Sequence, residues 1–120
     1  MGQSYRDLIA WQKAMDFVMD VYAASRLFPR DETYGLASQV RRTSVLIPTN
    51  IAEGQARYSP QEFHFFLGRA RGSLVEVETQ LIIAQNLRYF TSEHGQRLLD
   101  KAAELGRILN GLIGSIKKAA

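Results

Sequence analysis

Apolar residues recur at steps of three and four along almost the whole chain, the spacing that puts side chains on one face of an α-helix. In the first segment Leu8, Trp11, Met15, Val18 and Tyr22 form one such series, and Ala10, Ala14, Phe17, Val21, Ala24 and Phe28 form a second beside it. Asp7 falls in the first turn of this helix, where a carboxylate suits the dipole. Pro29 ends it, because the residue before a proline is pushed out of helical geometry. A second helix is predicted from Asp31 or Glu32 to about Arg57, with Leu36, Val40, Ile47 and Ile51 as its apolar side. Pro48 lies inside it; the missing N–H and the clash with the Ser44 carbonyl predict a kink rather than two helices. Ser59-Pro60-Gln61-Glu62 is the strongest start signal, with Ser59 as cap, Pro60 at the first helical position and Glu62 completing a capping box. Phe63, Leu67, Ala70, Leu74, Val77, Leu81 and Ala84 then run on without a break. Thr91 or Ser92 opens a fourth helix with the stripe Leu98, Ala102, Leu105, Leu109, Leu112 and Ile116.

Short connections make consecutive helices antiparallel neighbours, so the expected fold is an all-α, up-down-up-down four-helix bundle with a kinked second helix. No sustained apolar–polar alternation and no Asn-Gly or Asp-Gly turn supports a β-hairpin. Nothing divides residues 1–120 into more than a single domain.

The apolar pattern is wider than one bundle needs. On the third helix Phe65, Val75 and Ile82 form a flank beside the core series, and Phe66, Ile83 and Leu87 form another; the first helix has two full stripes. Apolar area left wet forgoes about 25 cal/mol per Å² and invites association. A homo-oligomer is therefore expected, with Phe65, Val75 and Ile82 as interface candidates.

Composition narrows the chemistry. The 120 residues are 46% hydrophobic and 22% charged, ordinary values for a globular protein. The absence of cysteine excludes disulfides, thiolate metal sites and cysteine nucleophiles and agrees with a cytoplasmic setting. No signal peptide or membrane span is expected. The formal net charge is +3, and eleven of the fifteen basic residues are arginine. That charge permits an RNA or DNA partner without demanding one. Arg30, Arg97, Lys101, Arg107, Lys117 and Lys118 fall on expected outer faces and are the candidate nucleic-acid contacts.

Polar residues also follow helical steps: Gln39, Thr43, Asn50, Glu53 and Arg57 on the second helix, and Arg69, Ser73, Glu76 and Gln80 on the third. If the turn near Tyr58 makes these helices antiparallel, Asn50 comes level with Arg69, and Arg41 or Arg42 with Glu76. The set Arg41, Arg42, Asn50, Glu53, Arg69, Ser73 and Glu76 is read as a structural polar network that fixes register. An active site is the alternative use of the same residues. Glu76 and Glu78, two apart on a helix, point to different faces and do not form a carboxylate pair. His64 and His94 lie on different helices without ligand spacing, the Glu-x-x-His pairs of di-iron bundles are missing, and no phosphate-binding loop is present. No catalytic residue, cofactor or metal site is expected.

The combination of Asp7-Leu8, Trp11-Gln12-Lys13-Ala14, Phe28-Pro29, Tyr34-Gly35-Leu36, Gln39-Val40-Arg41-Arg42, Ile47-Pro48 and Asn50-Ile51-Ala52-Glu53-Gly54 is specific. With Phe66-Leu67, Ala70-Arg71-Gly72-Ser73-Leu74, Glu76, Glu78 and Gln80-Leu81, it resembles the bacterial four-helix bundle family encoded in intervening sequences of large-subunit ribosomal RNA genes. The resemblance implies a ring-shaped homopentamer of bundles with no established enzymatic activity. It also implies kinship with the accessory variability proteins of diversity-generating retroelements, pentamers that bind nucleic acid and a reverse transcriptase. The function expected is a non-enzymatic oligomeric accessory factor for RNA or a ribonucleoprotein. The alternative is a protein-interaction scaffold with no nucleic-acid role.

Overall fold

The computed structural model describes residues 4–119, with side chains as far as Ile116. Four helices make up the described chain: α1 (Ile9–Ser25), α2 (Leu36–Ala56), α3 (Pro60–Asn86) and α4 (Ser92–Ala119). Each packs against its two neighbours around a square, with α2–α3 the closest pair and α1–α4 the loosest; α1 and α3, like α2 and α4, lie on diagonals. The result is the expected four-helix bundle, about 47 Å long. Phe17 and Val21 of α1, Ile47 and Ile51 of α2, Leu67 and Leu81 of α3, and Leu105 and Leu109 of α4 are fully buried along its axis.

The helix ends show which sequence signals prevail. At the start of α3 the Glu62 N–H donates to the Ser59 hydroxyl at 3.3 Å, so the predicted cap forms. The Glu62 carboxylate accepts instead from Arg57 at 3.4 Å. At the start of α4 the His94 N–H donates to the Thr91 hydroxyl at 3.1 Å.

Three boundaries differ from expectation. Asp7 is not in the first turn of α1, which begins at Ile9, but in a separate 3-10 turn (Tyr5–Asp7) that Ser4 caps. α1 stops at Ser25 rather than at Pro29: the Leu27 and Phe28 N–H groups bond to Ala24 and Ser25, three residues back, as the chain tightens before the proline. That turn leaves Phe28 buried against Tyr89 and Phe90, at ring separations of 5.2 and 6.1 Å. α2 begins at Leu36, not at Asp31 or Glu32, which belong to a separate 3-10 turn (Arg30–Glu32). Glu32 Oε1 accepts the Leu36 N–H at 3.0 Å and so caps α2 from four residues upstream. Gly35 permits this fold-back, since a Cβ there would come within 2.6 Å of Glu32 Oε1.

α2 continues through Pro48 without a break, with Pro48 buried. Near the far end of α2, Gly54 lets α3 close in: a Cβ on Gly54 would lie 2.7 Å from Phe66 Cβ and 3.0 Å from Phe63 Cδ1. α3 ends in a Schellman motif, in which Tyr89 N–H bonds to Ala84 O at 3.0 Å and Arg88 N–H to Gln85 O at 2.9 Å. Arg88 holds φ at +63° where glycine is usual, and Tyr58, after α2, holds +53°.

Candidate functional site

The polar stripe of α2 and α3 is the natural place to look for chemistry. The expected pairs Asn50–Arg69 and Arg41 or Arg42–Glu76 do not form among the described residues; Arg41, Arg42, Asn50 and Arg69 each find a nearer partner. Thr43 Oγ1 donates to Gln39 O and Asn50 Nδ2 to Leu46 O, both at 2.8 Å, so these buried groups satisfy themselves on their own helix. Arg41 faces α1, donating from Nε to Ser25 Oγ at 2.6 Å and lying 5.5 Å from the Tyr22 ring centre. Arg42 reaches Ser38 Oγ on its own helix at 3.3 Å. Glu53 pairs with Arg57 at 3.0 Å on the surface, where Arg57 also stacks on Phe66. Arg69 stacks on Phe65 of its own helix at 5.8 Å. Ser73 is buried, whereas Glu76 is exposed. Arg41, Arg42, Asn50, Glu53 and Arg69 are thus held in separate pairs rather than one network, and Ser73 and Glu76 join none of them, because acceptors and rings on the same helix or on α1 are closer than the expected partners.

Among the described residues no cluster of three or more histidine, aspartate and glutamate side chains could hold a metal ion. His64 and His94 open α3 and α4 respectively, which places them at opposite ends of the bundle; His94 lies 5.5 Å from the Phe90 ring.

The candidate nucleic-acid contacts do not gather into one patch. Arg30 is exposed on the 3-10 turn before α2. Arg97 and Lys101 border the seam between α1 and α4, where Lys101 Nζ is bound to Asp20 at 2.7 Å. A small cleft of about 130 Å³ in the same seam is lined by Lys13, Asp16, Asp20, Lys101 and Glu104, charges of both signs that leave no net attraction for a phosphate. Arg107 is exposed elsewhere on α4. Lys117 and Lys118 have side chains outside the described residues.

A latch joins the two loops at the bundle end that carries Phe28. Tyr89 donates its hydroxyl to Glu32 Oε2 at 2.6 Å. That bond, with the second one from Leu36 N–H, holds the Glu32 carboxyl below its ordinary value, and it pushes Tyr89 up to about 12. Burial raises the Glu78 carboxyl on α3.

The most distinctive surfaces are apolar. Phe65, Val75 and Ile82, expected to be interface residues, stand 58%, 55% and 46% exposed on the outside of α3. Gly68 and Gly72 lie between them with open space where a Cβ would be, so the helix backbone is bare there. A second surface, where the surplus stripe of the first helix meets α2, is a groove of about 370 Å³ lined by Tyr5, Trp11, Met15, Val18, Val45, Pro48, Thr49 and Ala52. Leu8, Trp11, Met15, Val18 and Tyr22 had the spacing of a core stripe, yet of these only Val18 is buried and Met15 is exposed. That unused half of the stripe was the available signal.

A search of curated proteins finds no match. A crystal structure of a protein of unknown function, from the S23 ribosomal protein family of Bacteroides thetaiotaomicron, is similar in fold, with a TM-score of 0.81 at 20% identity. The alignment covers 88% of this chain and 98% of that one. A family model, 23S rRNA-intervening sequence protein, matches residues 6–111. With nearly the whole bundle inside that match, the chain belongs to the 23S rRNA-intervening sequence protein family.

Proposed function

We propose that the chain is a non-enzymatic, homo-oligomeric helical scaffold, five copies around an axis, serving as an accessory factor for RNA or a ribonucleoprotein in the cytoplasm. The observation that carries the self-assembly is the exposure of Phe65, Val75 and Ile82 on a single helix whose opposite side already fills the core. Apolar side chains of that size on one ridge gain most when a second protein surface covers them. The RNA role draws on the net charge of +3 and on the family's link by name to 23S rRNA. A nucleic-acid enzyme such as a reverse transcriptase is a partner of the same kind.

Light scattering on the purified protein tests assembly; a monomer at micromolar concentration overturns it. Gel-shift titration with structured RNA at two salt concentrations tests the partner. Phosphate contacts make binding fall steeply as salt rises, and no shift at low salt removes RNA from the reading. The dispersal of Arg30, Lys101 and Arg107, with Lys101 already paired to Asp20, favours a second reading, a protein-binding scaffold without nucleic acid. A pulled-down partner protein that survives nuclease treatment would support it.

A further inference from the structure

We propose that the half of the α1–α4 seam nearest Phe28 is a binding site for a phosphate group, held by His94, Arg97 and Lys101. The site gives an RNA strand a place to lodge a backbone phosphate, but it stands without the RNA reading, because a free phosphate satisfies the same donors.

Room and spacing carry it together. α1 and α4 are the loosest neighbours in the bundle, and Ala23 sets only a methyl group on the α1 side. A hollow of about 150 Å³ is left, lined by Asp20, Ala23, His94, Arg97, Leu98 and Lys101. One water needs only about 10–15 Å³ of such space, so a tetrahedral oxyanion has room. His94, Arg97 and Lys101 follow one another at steps of three and four and so share one edge of α4. Leu98, buried beside them, fixes which way that edge turns.

The donors on this edge are largely unspent. Arg97 makes no ion pair or hydrogen bond among the described residues, so its planar fork keeps five N–H groups for an oxyanion. The His94 imidazole makes no hydrogen bond there either, only a ring contact with Phe90 at 5.5 Å. Lys101 gives one of its three protons to Asp20 at 2.7 Å, which offsets the one carboxylate lining the hollow and leaves two protons to donate. Of the other acidic residues on this half of α4, Asp100 accepts from Gln96 at 2.8 Å and Glu93 lies outside the lining. The neighbouring cleft differs: Asp16, Asp20 and Glu104 outnumber Lys13 and Lys101 there. An anion is therefore repelled from one half of the seam and admitted to the other.

The test uses the two histidines as paired reporters, since His64 stands at the opposite end of the bundle. Inorganic phosphate is titrated into the full chain at fixed pH and ionic strength, and the imidazole resonances are followed by NMR. The His94 signals should move and saturate in the millimolar range while those of His64 stay put. Arg97→Gln, at an exposed position that leaves the bundle folded, should bind at least about tenfold more weakly. If the two histidines move alike, or if Arg97→Gln titrates as the wild type does, the site does not exist. Structured RNA then separates the sources. An RNA that moves the same His94 signals supplies the phosphate from its strand. Saturation by phosphate without any response to RNA assigns the site to a free phosphate, and it removes RNA from the proposed function while the site itself stands.

Discussion

The seam between α2 and α3 and the seam between α1 and α4 hold the same bundle together in different ways. Between α2 and α3 the surfaces are small and close: Gly54 lies under Phe66, and Ser44, Ala70 and Ser73 are buried nearby. Between α1 and α4 the helices stand further apart, and Lys13, Asp16, Asp20, Lys101 and Glu104 line the gap. The first seam depends on fit, which a single added carbon disturbs. The second is bridged by solvated charges, which tolerate change because water replaces a lost partner at little cost.

Substitutions should separate the two. Ile47→Ala, at a fully buried site of α2, is expected to cost about 2–5 kcal/mol by denaturant unfolding, the largest single effect. Gly54→Ala comes next. Its methyl gains about 1 kcal/mol of helix propensity but meets Phe66 at 2.7 Å, and overpacking of that kind costs about 1–3 kcal/mol. Net destabilisation is expected, and a stabilised variant would show that the seam is more compliant than its distances imply.

Tyr89→Phe removes the latch at one end of both seams, and its signature is pH dependence. Because Glu32 has a lowered folded pKa, its contribution is present above the unfolded value and lost as pH falls through the folded one. Tyr89, raised to about 12, contributes below the unfolded value of 10.0 and loses that as pH rises through about 12. The variant should therefore melt below the wild type at neutral pH, and the gap in Tm should close in strong acid. Lys101→Ala, which breaks the Asp20 pair in the looser seam, should change stability by less than about 1 kcal/mol, and less still at high salt. A loss as large as that of Gly54→Ala would erase the distinction between the seams.

The bundle was readable from the sequence because core stripes such as Leu67, Ala70, Leu74, Val77 and Leu81 obey a rule internal to each helix. Caps such as Ser59 were readable for the same reason, since donor and acceptor lie within one turn. What failed involved a choice among partners. Glu32 looks like a first-turn residue of α2, yet it caps that helix from outside because Gly35 lets the chain fold back and Tyr89 fixes the carboxylate. Arg41 and Glu76 share a level on adjacent helices, but Tyr22 and Ser25 offer Arg41 a nearer berth on α1. Periodicity says which side of a helix a residue occupies; it does not rank the neighbours available on that side. The surplus stripe of α1 was legible as excess apolar surface, but its groove was not: only the position of α2 decides that Trp11 and Met15 open outward beside Val45 and Pro48.

The two left-handed residues that end α2 and α3 have a further consequence. Tyr58 and Arg88 adopt positive φ without being glycine, and each departs from its preferred backbone by roughly 1 kcal/mol. These positions are a latent margin for thermal hardening: glycine at either would relax the turn while every buried contact stays in place. The margin is not free at both ends, because Tyr58 borders an apolar hollow with Pro60, Phe63 and Ile116. An engineer would begin with Arg88, whose side chain is exposed and whose reversal of the chain only has to deliver Tyr89 to Glu32.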